Sequence, residues 1–138
     1  MKTVRVLHID DDADDSYFLF DALSKLVDTP AYRFTTTASE AKCFLENGSF
    51  IPDIIFVDYY MPITNGIEFL LWIKQQPKLQ EIPTIVLSTI EQQEVYDLAQ
   101  AAGAQNFFLK PSDFNDWFNL VKSALATTKI ARDTSTSV

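Results

Sequence analysis

The sequence has 138 residues, of which 47% are hydrophobic and 22% are charged, a composition typical of one globular domain with a buried core. A net charge of −8 argues against binding to nucleic acid or to an anionic membrane, because both need a positively charged surface. The single cysteine excludes an internal disulfide, and the apolar runs are too short for a signal peptide or a membrane-spanning helix. We therefore predict a cytoplasmic protein without a nucleic-acid or membrane partner.

Short apolar runs alternate along the chain with segments of helical periodicity. Five strand–helix units of this kind predict an α/β fold in which a parallel sheet is covered by helices on both faces. We expect one domain over residues 1–126 and a short, polar, poorly ordered tail over 127–138. In chain order, the pattern predicts a strand at 4–9, a helix at 15–27, a strand at 32–37, a helix at 39–47, a strand at 53–58, a helix at 66–76, a strand at 83–89, a helix at 91–102, a strand at 106–110 and a helix at 112–126.

Residues at the ends of these elements support the assignment. Gly48 is predicted to end the second helix, because glycine adopts the left-handed conformation that often closes a helix. Asn65, with Glu68 three residues later, resembles a capping pair at the start of the third helix. Ser112 or Asp113 is predicted to cap the last helix.

Polar side chains follow four of the predicted strands, at the point where each strand ends. Because the carboxyl ends of parallel strands meet at one edge of a sheet, we expect these side chains to lie close together. Clustered carboxylates favour a hard cation such as Mg²⁺, which can hold a phosphoryl group together with a lysine and a hydroxyl, and a carboxylate there can form an aspartyl phosphate. The residues are Asp10, Asp11 and Asp12 after the first strand, Asp58 after the third, Ser88 and Thr89 after the fourth, and Lys110 with Pro111 after the fifth.

Four motifs in this order resemble the response-regulator receiver domains of two-component signalling. They are "HIDDD", "DIIFVDYYMPITNG", which matches the pattern D-x-x-M-P-x-x-x-G, "PTIVLST" and "FFLKP". The resemblance covers residues 4–126. Within this family, the chain is similar to stand-alone, chemotaxis-type regulators. It implies a flavodoxin-like, doubly wound (βα)5 three-layer sandwich whose five parallel strands have the order 2-1-3-4-5.

The resemblance implies a metal site and a phosphoacceptor. Asp58 is the expected phosphoacceptor. Asp11 and Asp58 are the expected direct ligands of Mg²⁺, together with the backbone carbonyl of Tyr60, and Asp10 is expected to act through water. Mn²⁺ could take the place of Mg²⁺.

The resemblance also implies a phosphoryl-binding pair and a conformational switch. Ser88 and Lys110 are expected to bind oxygens of the phosphoryl group. The Lys110–Pro111 peptide bond is a candidate cis bond. Phosphorylation is expected to draw Ser88 inward and to let Phe107 move, which would reshape the face built from residues 91–126.

Partners and kinetics follow from the same resemblance. A sensor histidine kinase or a phosphotransfer protein is the expected donor, and a downstream protein is expected to bind the 91–126 face. Without a DNA-binding output domain, the chain is expected to signal by protein contact as a monomer or weak homodimer, and not as a turnover enzyme. Tyr60 and Ile90 occupy the positions that tune hydrolysis of the phosphoaspartate, and their bulk predicts slow self-dephosphorylation.

A calcium-binding loop is an alternative interpretation of the aspartate run. Asp10, Asp12 and Asp14 fit its first, third and fifth positions, but Asp15 stands where glycine is needed. We instead interpret Asp14 and Asp15 as acids in the first turn of a helix, which the helix dipole favours. The role of Asp12 stays open, and His8, in mid-strand, is interpreted as a core histidine and not as a phosphocarrier.

Two other functions remain as alternatives. A haloacid-dehalogenase-like phosphatase would use Asp10 as its nucleophile with Asp12, Ser88 and Lys110, but it leaves "VDYYMP" unexplained. A receiver-like scaffold could instead signal without phosphate. The alternatives differ in the carboxylate that is phosphorylated, which is Asp58 in a receiver and Asp10 in the phosphatase.

Overall fold

The computed structural model describes residues 3–61 and 63–128. Five strands and five helices alternate along this part of the chain. They are β1 (Thr3–Ile9), α1 (Ala13–Leu26), β2 (Thr29–Thr35), α2 (Ala38–Asn47), β3 (Ile54–Asp58), α3 (Gly66–Ile73), β4 (Thr84–Ser88), α4 (Gln93–Ala101), β5 (Asn106–Leu109) and α5 (Phe114–Ala126).

The five strands form one parallel sheet in the order β2-β1-β3-β4-β5, which confirms the predicted fold class and strand order. In the register of the sheet, Asp58 lies opposite Leu87 and Ser88 lies opposite Leu109. The last residues of β3, β4 and β5 therefore end at nearly the same level. Strand β1 lies at the point where the strand order reverses, between β2 and β3, and its end completes this edge.

The core consists of two apolar layers, one on each face of the sheet. Alternate residues of β3 point to opposite layers, so that Phe56 packs in one and Ile55 in the other. All five residues of β3 and of β4 are buried, which explains why their sequences are almost uniformly apolar. The first layer joins the sheet to α1 and α5, and the second joins it to α2, α3 and α4.

Capping side chains start four of the helices, as the sequence pattern predicts for two of them. The side chain of Asn65 accepts a hydrogen bond from the backbone N–H of Glu68 at the start of α3. Asp113, and not Ser112, caps α5. Gly48 closes α2 with a φ of 79°, a conformation that glycine adopts without strain.

Some predicted boundaries are wrong by two or three residues. Strand β2 begins at Thr29, before the predicted position 32, because Pro30 is tolerated in an edge strand that pairs on one side only. Helix α3 ends at Ile73 because the next residues form tighter bonds, with the N–H of Gln76 donating to the carbonyl of Ile73 three residues back. None of the helices among the described residues is long and apolar enough to span a bilayer. The predicted tail falls mostly outside the described residues, since only positions 127 and 128 of it are described.

Candidate functional site

A buried cluster of charged side chains lies at the carboxyl edge of the sheet. Asp10 follows β1 and is fully buried, and Asp58 is the last residue of β3 and is 4% exposed. Backbone groups hold Asp10 in place, because its N–H donates to the carbonyl of Thr35 and its Oδ1 accepts from the N–H of Asp12, both at 3.0 Å. Three strand ends that are distant in sequence thus meet at one site.

The structure brings together the three carboxylates that the sequence assigns to magnesium. Oxygens of Asp10, Asp11 and Asp58 all lie within 4.8 Å of one another. Asp11 is exposed, whereas the other two are buried, so solvent reaches the cluster at Asp11. This set of ligands contains oxygen only, which fits a hard divalent cation. The backbone N–H of Tyr60 donates to Oδ1 of Asp58 at 3.3 Å, and the role of the Tyr60 carbonyl as a ligand stays a prediction.

The ammonium group of Lys110 lies among three carboxylates. Its Nζ is 3.0 Å from Oδ2 of Asp10, 2.7 Å from Oδ2 of Asp15 and 3.1 Å from Oδ2 of Asp58. Burial by itself lowers the pKa of Lys110, but the three carboxylates outweigh this effect and raise it above its usual range. Lys110 therefore stays charged at any ordinary pH and holds the acidic cluster together.

The two buried aspartates differ in their protonation. Burial and the nearby charge of Asp10 raise the pKa of Asp58 to about 7, although the contact with Lys110 and the hydrogen bond from the Tyr60 N–H lower it in part. Burial also raises the pKa of Asp10, but His8 and Lys110 outweigh it and lower the pKa below its usual value. A cation beside Asp58 would favour its ionised form, because an opposite charge stabilises a carboxylate.

Asp15 is a member of this cluster that the sequence interpretation missed. It lies in the first turn of α1, as predicted, but its carboxylate also forms the shortest of the three contacts with Lys110. Asp12 is the N-cap of α1, since its Oδ1 accepts from the N–H groups of Asp14 at 2.8 Å and Asp15 at 3.4 Å. The sequence carries one signal for this role of Asp15. It lies three residues after Asp12, a helix cap that closely follows the acidic end of β1.

The same geometry rules out the calcium loop. Asp14 and Asp15 belong to α1, and Asp12 is engaged as its cap, so the run does not form a loop that could surround an ion. The alternative interpretation of the aspartate run is therefore wrong.

The hydroxyl of Ser88 lies at the end of β4 and is buried. Its Oγ accepts from the N–H of Ile90 and also lies 3.1 Å from the Ile90 carbonyl, so the hydroxyl is engaged with its own loop. Thr89 is exposed. Phe107, the expected switch residue, is half-buried, and its ring meets that of Tyr96 edge-on with the ring centres 5.8 Å apart. Motion of these two residues on phosphorylation stays a prediction.

The candidate cis bond between Lys110 and Pro111 is trans, so that prediction is wrong. The trans form is the intrinsically preferred one before proline. The backbone N–H of Lys110 donates to the carbonyl of Ser88 at 2.8 Å, and its side chain reaches all three carboxylates, with the trans bond in place.

The surroundings of Gly66 explain why the motif that contains Asp58 ends in glycine. A Cβ atom at this position would lie 2.6 Å from the backbone carbonyl oxygen of Asp58, closer than real contacts allow. The N–H of Gly66 donates to the carbonyl of Tyr59 at 2.9 Å. Glycine thus allows α3 to start directly against the end of β3.

Comparisons with known proteins identify the family of this chain. The sequence matches the family described as response regulator receiver domain over residues 6–122. It is 34% identical over 116 residues to a protein-glutamate methylesterase/protein-glutamine glutaminase of Treponema denticola, a match that covers 81% of this chain and 30% of that protein. It is 30% identical over 111 residues to the two-component response regulator ORR6 of Oryza sativa subsp. japonica, covering 78% of this chain and 63% of that protein.

The fold is also similar to that of solved response regulators. A structure described as the Mn(2+)-bound form of response regulator Rcp1 has a TM-score of 0.79 and 23% identity, over 89% of this chain and 92% of that chain. The extent of the family match leaves the phosphatase alternative without support. The chain therefore belongs to the response-regulator receiver domain family of two-component signalling.

Proposed function

We propose that Asp58 accepts a phosphoryl group from a histidine of a sensor kinase or phosphotransfer protein, and that the phosphorylated chain then binds a downstream protein. The observation that carries this proposal is the pairing of a buried strand-end carboxylate, Asp58, with the ammonium of Lys110 at 3.1 Å, beside the acidic pair Asp10 and Asp11. Family membership supports the same role.

The proposed transfer moves one phosphoryl group between two proteins. A carboxylate oxygen of Asp58 attacks the phosphorus, the phosphorus–nitrogen bond of the donor breaks, and the released imidazole takes up a proton from water. Catalysis of such a transfer consists mainly of positioning and charge neutralisation. The ammonium of Lys110 would move its contact from the carboxylates to one phosphoryl oxygen. The hydroxyl of Ser88 would donate a hydrogen bond to another phosphoryl oxygen.

We also propose that the acidic cluster holds Mg²⁺, or Mn²⁺ in its place. Asp11, Asp58 and the Tyr60 carbonyl would bind the ion directly, and Asp10 would bind it through water. The bound ion would supply positive charge that lowers the repulsion between the carboxylates and the incoming phosphoryl oxygens. The oxygen-only set of ligands supports this assignment, and the Mn²⁺-bound form of Rcp1, which has the same fold, is consistent with it.

The downstream partner is proposed to bind the face built from residues 91–126. Apolar side chains are exposed there, with Tyr96 42%, Leu98 49% and Leu109 42% accessible. A cavity of about 330 Å³ runs between α4 and β5 and is lined by Tyr96 and Phe107. A rearrangement of Ser88 and Phe107 would alter this surface. We propose a signalling phosphoacceptor in the cytoplasm, and not an enzyme that turns over an external substrate.

The proposal is tested by incubating the protein with Mg²⁺ and acetyl phosphate and measuring the intact mass. The wild type is expected to gain one phosphate, Asp58→Ala to gain none, and the exposed control Asp97→Ala to behave as wild type. An adduct that persists in Asp58→Ala would contradict the assignment. A wild type that gains no phosphate would favour the phosphate-independent scaffold.

A further inference from the structure

A chain of buried and half-buried polar groups adjoins the acidic cluster and has no part in the proposed phosphoryl transfer. His8, in the middle of β1, is fully buried, and its Nδ1 is 2.9 Å from the hydroxyl of Tyr32 on β2. That hydroxyl is 2.8 Å from Oγ of Ser16 on α1. On the other side of the ring, Nε2 of His8 is 3.3 Å from Oδ2 of Asp10. We call these residues the His8–Tyr32–Ser16 arm.

The donors and acceptors of the arm can be assigned in one direction. An ionised Asp10, as a magnesium site requires, only accepts, so the imidazole proton that faces it lies on Nε2. Nδ1 of His8 then accepts from the hydroxyl of Tyr32 at 2.9 Å, the nearer of two acceptors for that proton, since the Ser16 carbonyl lies 3.3 Å away. The oxygen of Tyr32 in turn accepts from the hydroxyl of Ser16. The imidazole is also packed against Phe34, with the ring centres 5.5 Å apart, so its orientation is set on several sides.

The contact between Nε2 of His8 and Oδ2 of Asp10, at 3.3 Å, is longer than an ideal hydrogen bond. Nε2 of His8 and Oδ2 of Asp10 are both buried, and neither makes a hydrogen bond of good geometry in the described part of the protein. Oδ2 of Asp10 also lies 3.0 Å from Lys110, which shares its charge among three carboxylates. If Lys110 moves its contact from Asp10 to the phosphoryl group, as proposed above, His8 is the donor that still faces this oxygen of Asp10 among residues 3–61 and 63–128.

We propose that His8 is a positioning residue for Asp10 and that, held by Tyr32 and Ser16, it orients this carboxylate for Mg²⁺. The inference rests on the proposed function of the acidic cluster. Groups that hydrogen-bond to a metal-binding residue orient it, and their loss typically weakens metal binding by 10 to 100-fold. The complete burial of His8 also supports this role over that of a phosphocarrier, because a buried imidazole cannot reach a partner protein.

The test is an NMR titration of the full-length protein with Mg²⁺. His8→Leu is expected to weaken Mg²⁺ binding by about tenfold or more, whereas His8→Gln, which retains an N–H donor, is expected to restore most of the affinity. Tyr32→Phe is expected to weaken it by about threefold, the equivalent of one neutral hydrogen bond. The matched control Tyr17→Phe, an exposed tyrosine on α1, is expected to bind as wild type.

Several outcomes would overturn the proposal. A folded His8→Leu variant with wild-type affinity would do so, and if that variant does not fold, Tyr32→Phe with wild-type affinity would do so. The ¹⁵N chemical shifts of the wild-type imidazole provide a second readout. A proton on Nδ1 of His8, in place of Nε2, would overturn the proposal that His8 donates toward Asp10. If the wild type gains no phosphate from acetyl phosphate but His8→Leu still weakens Mg²⁺ binding, only the proposed phosphoryl transfer is contradicted. A wild type that binds no Mg²⁺ would overturn both the metal site and this inference.

Discussion

At the scale of single residues, neighbours give chemically identical side chains different properties. Asp10 and Asp58 are both buried aspartates, yet the pKa of Asp10 is lowered while that of Asp58 is raised to about 7. The difference arises because Asp10 faces both His8 and Lys110, whereas Asp58 faces the charge of Asp10 and is only partly compensated by Lys110. The site therefore contains one aspartate that stays ionised and another that depends on added positive charge.

Two exposed side chains beside the site are predicted to control the lifetime of the phosphoaspartate. Tyr60 and Ile90 are 44% and 41% exposed and follow Asp58 and Ser88 by two residues. Because their bulk should limit the approach of water, the double variant Tyr60→Asn with Ile90→Glu is expected to lose its phosphate about tenfold faster, a change of about 1.4 kcal/mol in the barrier. Mass spectrometry after removal of acetyl phosphate measures the rate. Leu71→Asn, at an exposed position of α3, is the control, and an unchanged lifetime of the double variant would contradict the idea.

At the scale of elements, the site depends on how strands and helices meet. The cap of α1 is Asp12, so the helix begins directly after the acidic end of β1, and this short connection places Asp15 against Lys110. The start of α3 is held against the end of β3 in a similar way, through the hydrogen bond between Gly66 and Tyr59. These short connections fix the first turns of α1 and α3 relative to the carboxyl edge of the sheet.

A substitution at Gly66 tests the contact between β3 and α3. Although alanine favours helix more than glycine by about 1 kcal/mol, Gly66→Ala is expected to destabilise the protein by roughly 2 kcal/mol, because its Cβ would lie 2.6 Å from the Asp58 carbonyl. Urea unfolding gives the free-energy difference. Gly48→Asn is the control and is expected to cost only a few tenths of a kcal/mol, since nothing lies within 4 Å of its Cβ and asparagine tolerates the left-handed conformation. Equal stability of Gly66→Ala and wild type would contradict the predicted clash.

At the scale of the whole molecule, the acidic site reduces stability as the pH rises. The pKa of Asp58 is about 7 in the folded protein and 3.8 as its reference value. Between these values the folded state binds more protons than the unfolded state, so the free energy of unfolding falls as the pH rises through this window. Above pH 7 the folded protein holds a carboxylate that the surrounding structure disfavours, and a bound cation would offset this cost.

Removal of that charge should therefore stabilise the protein in a pH-dependent way. Without divalent metal, Asp58→Asn is expected to increase the free energy of unfolding by on the order of 2 to 4 kcal/mol at pH 8 and by little at pH 4, where Asp58 is protonated in the folded state. Urea unfolding at several pH values measures this difference. The exposed control Asp97→Asn should show no such trend. A gain from Asp58→Asn that is equal at both pH values would show that its charge is not the cause.

The sequence by itself determined the order of the elements, the parallel sheet and the strand ends that carry Asp10, Asp58, Ser88 and Lys110. These features follow from local patterns, because an apolar run or a helical period identifies a buried strand or a helix without knowledge of its neighbours. Element boundaries depend in addition on tertiary pairing, as in β2, where pairing with β1 extends the strand past a proline.

Only the tertiary structure decided which polar groups meet. Asp15 and Lys110 are 95 residues apart, and His8 and Tyr32 are 24 residues apart, so local patterns do not identify the partner in either contact. In sequence, Asp15 is one acid in an acidic run and His8 is one polar residue in a strand. Tyr32 meets His8 because β2 pairs with β1, and Lys110 meets Asp15 because its side chain extends from the end of β5 toward the start of α1. Both contacts are shielded from water, which leaves their polar groups to pair with one another.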